Sequence, residues 1–279
     1  MKCDKASLYD SSMKLLNHYI PKEYLALRIN YCRMQLMKLP VVRVSEHIID
    51  GVATERVFAD GHRYNIDSVK GKKCLEIRHL SEQLTANLNL LETVWKNKFN
   101  DPLPKECIPH RVIRNLRVDY QHELTLNKEF FDSLESDSNS RYPKNGSFYF
   151  DGIYYRSAAE RDIAIFYTEL GIPFKYEPSI MIEGVNHPIH PDFVIYIEEL
   201  DTCIFHEHLG IKDSSNYLRT SKIKYSNYVD AGLIPDVDIL FTYDTDDLPF
   251  DIRSMPAKLN AAIYTLTISS RKSSAPLLS

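Results

Sequence analysis

Between residues 174 and 209 three apolar segments follow one another at turn-length spacing, 174–183, 190–197 and 202–209, and the second and third each carry a single carboxylate. Their β-branched and aromatic residues, separated by Glu183-Gly184-Val185-Asn186 and by the stretch 198–201, predict three consecutive strands. Asp192 opens the second within Pro191-Asp192-Phe193. Glu207 closes the third within Phe205-His206-Glu207-His208-Leu209-Gly210. An ionised carboxylate on a buried strand costs several kcal/mol unless it is paired or coordinated. Two of them at neighbouring strand ends therefore ask for a compensating cation, and a divalent metal ion is the simplest one.

The flanking residues extend this core in both directions. Residues 148–155 read as two short strands around Asp151-Gly152, leading into a helix from Ser157 to position 170 that Gly171 terminates. A second helix covers 214–231 and closes at Gly232, and 237–243 is a last strand. The order helix, three strands, helix, strand predicts a mixed α/β sheet covered by helices.

Upstream, the apolar spacing predicts helices across 7–39, split by Pro21, and again from about 75 to 95. Between them 41–66 is rich in β-branched residues and carries Asp50-Gly51 and Asp60-Gly61, the signals of a hairpin or meander. Lys70-Gly71-Lys72-Lys73 reads as a loop, and Trp95 as a core residue. The expected organisation is an accessory domain over 1–132, a polar linker over 133–146, a catalytic domain over 147–268 and a flexible tail over 269–279. The two long N-terminal helices are expected to pair, and a homodimer through them is an open expectation.

The formal charge of −4 is unevenly distributed. Residues 1–150 hold 23 basic and 19 acidic side chains, whereas 151–279 hold 11 basic and 19 acidic. A carboxylate-rich half joined to a mildly basic half suits a metal site beside a phosphate-binding region; ordinary variation between two surfaces also accounts for it. Arg111, Arg114 and Arg117 recur every third residue, which would place them on one helical face for a nucleic-acid backbone or on a solvated face satisfied by acids. The five cysteines form no CxxC pair, which argues against a disulfide framework. No apolar run reaches the ~20 residues of a membrane span and no signal-peptide pattern opens the chain, so a cytoplasmic location is expected.

Glu160 in the first helix, Pro191-Asp192 on the second strand and Glu207 on the third stand in an order that resembles the PD-(D/E)XK nuclease superfamily, over roughly 148–243. The resemblance implies a restriction-endonuclease-like sheet core and hydrolysis of nucleic-acid phosphodiesters, DNA before RNA. It further implies Mg²⁺, with Mn²⁺ as a substitute, on Asp192 and Glu207, a strand carbonyl at His208 completing the set, and Glu160 as a direct or water-mediated ligand. Ser157-x-x-Glu160 is equally a capping box. Asp192 also reads as a turn-initiating acid, and Glu207 as one half of an ion pair.

One position departs from the family pattern. Two residues after the third-strand acid the family has lysine, and here stands Leu209. His208 is adjacent, but strand alternation points it away from Glu207 unless a bulge intervenes. On the following helix Lys224 and Tyr228 share a face, with Tyr217 and Ser221 continuing the row, so Lys224 is the first choice for the missing cation and Lys222 the second. Superfamily variants with a Glu-His-Leu-Gly strand and a migrated lysine imply the same. A zinc site of His187, His190, His206 and His208 lacks both cysteine and HExxH spacing. No phosphate loop, nucleophile elbow or dinucleotide fingerprint is present. The alternative reading is a catalytically inactive nucleic-acid-binding or assembly module, which Leu209 favours, and beyond it a structural protein whose acids are merely paired.

Overall fold

A computed structural model describes residues 20–49, 52–105, 109–140, 144, 148–211, 215–245 and 247–272. The chain divides into two units, Leu25–Ile108 and the remainder, Met1–Tyr24 with Pro109–Ser279. It is a mixed α/β protein. Among the described residues no helix is long and apolar enough to cross a membrane.

The smaller unit takes most of helix α1 (Lys22–Lys38), the strands β1 (Arg43–Ile49), β2 (Val52–Ala59) and β3 (His62–Asn65), and helix α2 (Val69–Phe99). The three strands form an antiparallel meander in the order β1-β2-β3, with Asp60-Gly61 as the turn between the second and third; Asp50-Gly51 lies outside the described residues. Val57, Ala59 and Cys74 are buried at its core, with Val44, Tyr64 and Leu75 packed on them. Arg33 of α1 and Glu92 of α2 form an ion pair at 2.8 Å. Trp95 is buried, and its Nε1 donates to the Pro102 carbonyl at 2.9 Å.

The expectation of a loop at Lys70–Lys73 is corrected. Ser68 caps α2 by accepting the Gly71 amide at 3.0 Å, so these residues form its first turn. Gly71 has no alternative there: a Cβ would lie 2.0 Å from the Asn65 carbonyl oxygen. Residues 1–19, where the first predicted helix falls, lie outside the described residues.

The larger unit is built on a four-stranded sheet. Strands β4 (Asn115–Arg117) and β5 (Glu123–Thr125) form a small antiparallel pair, helix α3 covers Lys128–Ser133, and β6 (Phe148–Phe150) and β7 (Ile153–Tyr155) form the predicted hairpin. Its Asp151-Gly152 turn has φ of 45° and 85°, the left-handed pair that this dipeptide provides. Helix α4 (Ala158–Glu169) leads to β8 (Phe174–Tyr176), β9 (Phe193–Ile197) and β10 (Thr202–Ile211); helix α5 (Ser215–Asp230) leads to β11 (Ile239–Thr245), and α6 (Met255–Lys272) follows. The sheet order is β11-β10-β9-β8, with β8, β9 and β10 antiparallel and β11 parallel to β10. The first predicted strand, 174–183, is shorter than expected: beyond Tyr176 the chain leaves the sheet, and Glu177 takes φ of 43°.

Two boundaries differ from expectation. Leu116, Leu126, Phe130, Phe131 and Leu134 are buried in one cluster with Val194, Phe205, Tyr228 and Phe241. The Cys203 amide donates to the Leu126 carbonyl at 2.9 Å, and the Arg117 amide to the Ala231 carbonyl at 2.9 Å. Residues from Pro109 onward thus belong to the larger unit, because their apolar side chains complete its core. The described part of the expected linker is tied down as well, with the Asp137 and Ser138 amides donating to the carbonyls of Tyr176 and Glu177. At the other end, α6 continues through Lys272, and 273–279 lie outside the described residues.

Candidate active site

Alternation along β10 sorts its side chains onto two faces. Phe205 and Leu209, two residues either side of Glu207, pack in the cluster that contains Tyr228 of α5, so Glu207 points toward that helix. On β9, Val194 and Tyr196 lie in the same cluster and share their face with Asp192. The pairing of the two strands ends with His206 opposite Phe193, which puts Asp192 and Glu207 at the next step.

Glu207 is fully buried, and α5 supplies its partners. Lys224 Nζ donates to Oε2 at 2.9 Å, and the Tyr228 hydroxyl donates to Oε1. The four-residue spacing on one helix face delivers both groups to one carboxylate. Lys222, two residues earlier, is exposed and turned away. Asp192 Oδ2 accepts the His208 amide at 2.7 Å. Burial first and the charge of Glu207 second hold the Asp192 carboxyl well above its usual range; Lys224 pulls the other way and Glu160 adds to the rise. The two acids therefore compete for too little positive charge, the condition that marks functional clusters.

Glu160 forms the cap that its position allowed, and its other oxygen is held by the protein as well. The Ser157 hydroxyl accepts the Glu160 amide at 3.1 Å and donates to Oε1 at 3.0 Å, so the cap is formed. Oε2 accepts from the Tyr176 hydroxyl at 2.6 Å and the Arg156 amide at 3.2 Å. Burial raises the carboxyl, and these hydrogen bonds oppose it. The Glu160 charge reaches Asp192 electrostatically, so three carboxyls share one region.

His208 joins through its backbone alone. The pairing of β10 with β11 runs without a bulge from Phe205 to Ile211, so the imidazole stays on the far face, where Nδ1 meets Thr242 Oγ1 at 2.9 Å. There His206 Nδ1 meets the Tyr167 hydroxyl at 2.8 Å and Nε2 meets Thr242 Oγ1 at 2.9 Å. Burial, then the neighbouring His208 and Lys258, push the His206 imidazole down to about 3. Among the described residues no group of three or more His, Cys, Asp or Glu side chains is arranged to hold a metal ion, the histidines included. Carboxylate oxygens such as those of Asp192, Glu207 and Glu160 are the donor type that a hard divalent cation takes, and Lys224 is the ammonium that acts on the first two.

The arginine row lies elsewhere and is not helical. Arg117 is on β4, while Arg111 and Arg114 precede it outside any helix or strand. Arg114 grips Asp238 with two hydrogen bonds, 2.7 and 2.5 Å, Arg111 pairs with Asp201 at 2.9 Å, and Arg117 approaches Glu183 at 3.6 Å. The structure thus commits this row to acids of the same unit.

Sequence reasoning missed one feature of the site. Arg156 holds buried Glu177 through Nε at 2.6 Å and Nη2 at 3.0 Å, while the Glu177 amide donates to the Asp192 carbonyl at 3.0 Å. The main chain of Arg156 binds Glu160 and that of Glu177 binds Asp192, so one ion pair clips two acid-bearing segments together. No local signal marks it, because the partners lie 21 residues apart and only the turn after Tyr176 brings them face to face. No family model matches the chain, and comparison with curated proteins and with solved structures found no match.

Proposed function

We propose that this chain is a divalent-metal-dependent nuclease of the PD-(D/E)XK type, acting on DNA before RNA. The observation that carries the reading is the approach of Lys224 to Glu207, one strand step from Asp192. It supplies from α5 the cation that Leu209 cannot supply from β10. The order of helix, three antiparallel strands, helix and parallel strand supports the same reading.

Hydrolysis of a phosphodiester joins a water oxygen to phosphorus as the bond to the leaving sugar oxygen breaks. A bound Mg²⁺ or Mn²⁺ would neutralise the phosphate and lower the pKa of a coordinated water, and Asp192, Glu207 and Glu160 are the residues that would hold it. Lys224 pairs with Glu207 and presents a donor where a water can be oriented. Tyr228 fixes the rotation of the Glu207 carboxylate. The His208 amide fixes Asp192, and the Arg156–Glu177 pair holds both acid-bearing segments in register. A second reading, an inactive nucleic-acid-binding module, is favoured by one observation: both Glu207 oxygens already accept a hydrogen bond from the protein.

The deciding experiment incubates wild type and Glu207→Ala with labelled single- and double-stranded DNA and RNA in EDTA, Mg²⁺ and Mn²⁺. Metal-dependent cleavage by the wild type, lost in a variant that still folds, is the expected outcome. Equal cleavage by both would remove Glu207 from the chemistry, and binding without cleavage by either would select the inactive module.

A further inference from the structure

Three arginines of the meander in the smaller unit are disposed differently from the paired arginine row of the larger one. In the β1-β2-β3 meander the register sets Arg43 opposite Phe58 and Phe58 opposite Arg63, with Arg56 two residues before Phe58, opposite Ser45 and Asn65. Alternation puts these residues on one face, because Val57 and Ala59, their neighbours on β2, are buried on the other. Glu46 and Glu55 pair with each other on that second face. The sheet therefore segregates charge, with three arginines on one side and the acids on the other. Arg63 sits over the Phe58 ring at 5.6 Å, and Arg43 and Arg63 are exposed. Among the described residues none of the three arginines lies within ion-pair distance of a carboxylate, whereas Arg111, Arg114 and Arg117 all do.

We infer that the Arg43–Arg56–Arg63 face of the meander is the nucleic-acid-binding surface, gripping the phosphodiester backbone. The occupant follows from charge and form. Guanidinium forks match phosphate oxygens in pairs, and a polyanion extended along a sheet meets all three where a single small anion meets one. The aromatic ring between Arg43 and Arg63 adds a flat apolar surface suited to sugars and unstacked bases. The inference rests on the nuclease reading for its biological sense, and it is tested independently of cleavage.

Binding of a fluorescein-labelled oligodeoxynucleotide, single-stranded and as a duplex, is followed by anisotropy in EDTA over a series of salt concentrations. The full-length wild type is compared with the triple variant Arg43→Gln/Arg56→Gln/Arg63→Gln. A charge-matched control, Lys38→Gln/Lys96→Gln/Lys105→Gln, removes three exposed lysines outside the meander. The arginine variant should bind about tenfold more weakly or worse. Its slope of log affinity against log salt should fall by about 2 for a single strand, at roughly 0.7 for each phosphate that the protein no longer neutralises. The control should stay within about twofold of the wild type, and all three proteins should melt alike. Equal losses in both variants, no loss in the arginine variant, or wild-type binding to phosphatidylserine vesicles in place of DNA would each overturn the assignment. Cleavage in Mg²⁺ reports separately: unchanged binding with wild-type cleavage removes the surface and keeps the nuclease, whereas arginine-dependent binding without cleavage does the reverse.

Discussion

Glu177 and Glu207 are both buried carboxylates that meet a basic side chain, and the difference between them separates an enclosed ion pair from the site proposed for chemistry. Glu177 is enclosed: Arg156 grips both oxygens, Asn139 donates at 3.1 Å, and Lys144 stands 3.7 Å away. Two cations within ion-pair distance there, Arg156 and Lys144, meet two carboxylates, Glu177 and Asp137. Around Glu207 that balance is lost, since Lys224 is, among the described residues, the one cation within ion-pair distance and a second carboxyl, Asp192, lies at the next strand step. The Lys224 side chain is 41% exposed, against 22% for Arg156. A closed and balanced pair holds the fold. An open pair with surplus negative charge stores a demand for a cation.

Four substitutions test this contrast. Glu177→Ala should have the largest effect on stability, about 3–5 kcal/mol by denaturant titration, because it leaves Arg156 without its carboxylate. A loss under about 1 kcal/mol would mean that the pair does not clip the two segments. Lys224→Met should leave the fold intact and reduce metal-dependent cleavage at least about a hundredfold. Retained cleavage would hand the role to another cation, and Lys222→Met would then be the variant to measure.

Asp192→Asn should abolish cleavage yet stabilise the metal-free protein by roughly 0.5–2 kcal/mol at neutral pH. The sign follows from the raised native carboxyl. A group that holds its proton longer in the folded state contributes stability below its ordinary carboxylate range and loses it as pH rises through the native value. The advantage of the amide should therefore grow from acidic to neutral pH, and added Mg²⁺ should raise the melting temperature of the wild type but not of the variant. A flat pH difference would remove the charge conflict from Asp192. Arg111→Ala should matter least, within about 1 kcal/mol, because its ion pair with Asp201 is half in solvent.

Much of the larger unit is legible in its sequence. Asp151-Gly152, Ser157, Gly171 and Gly232 fix turns and helix ends through preferences of one or two residues, and runs of β-branched and aromatic residues mark β9, β10 and β11. The strand order put Asp192 and Glu207 at neighbouring strand ends, and the i,i+4 spacing of Lys224 and Tyr228 put both on one side of α5; the register of β9 with β10 then set the two acids at one step. These signals are short-range, and a sequence carries them whole. The fold alone decided which distant groups meet. It assigned Leu116, Leu126 and Phe130 to the core of the larger unit and paired Arg111, Arg114 and Arg117 with acids. It turned Lys70–Lys73 into a helical first turn and set Arg156 against Glu177. Each of these outcomes depends on a burial or charge partner that local spacing does not name, and the free energy of burying such a group is settled only when the topology has brought that partner within reach.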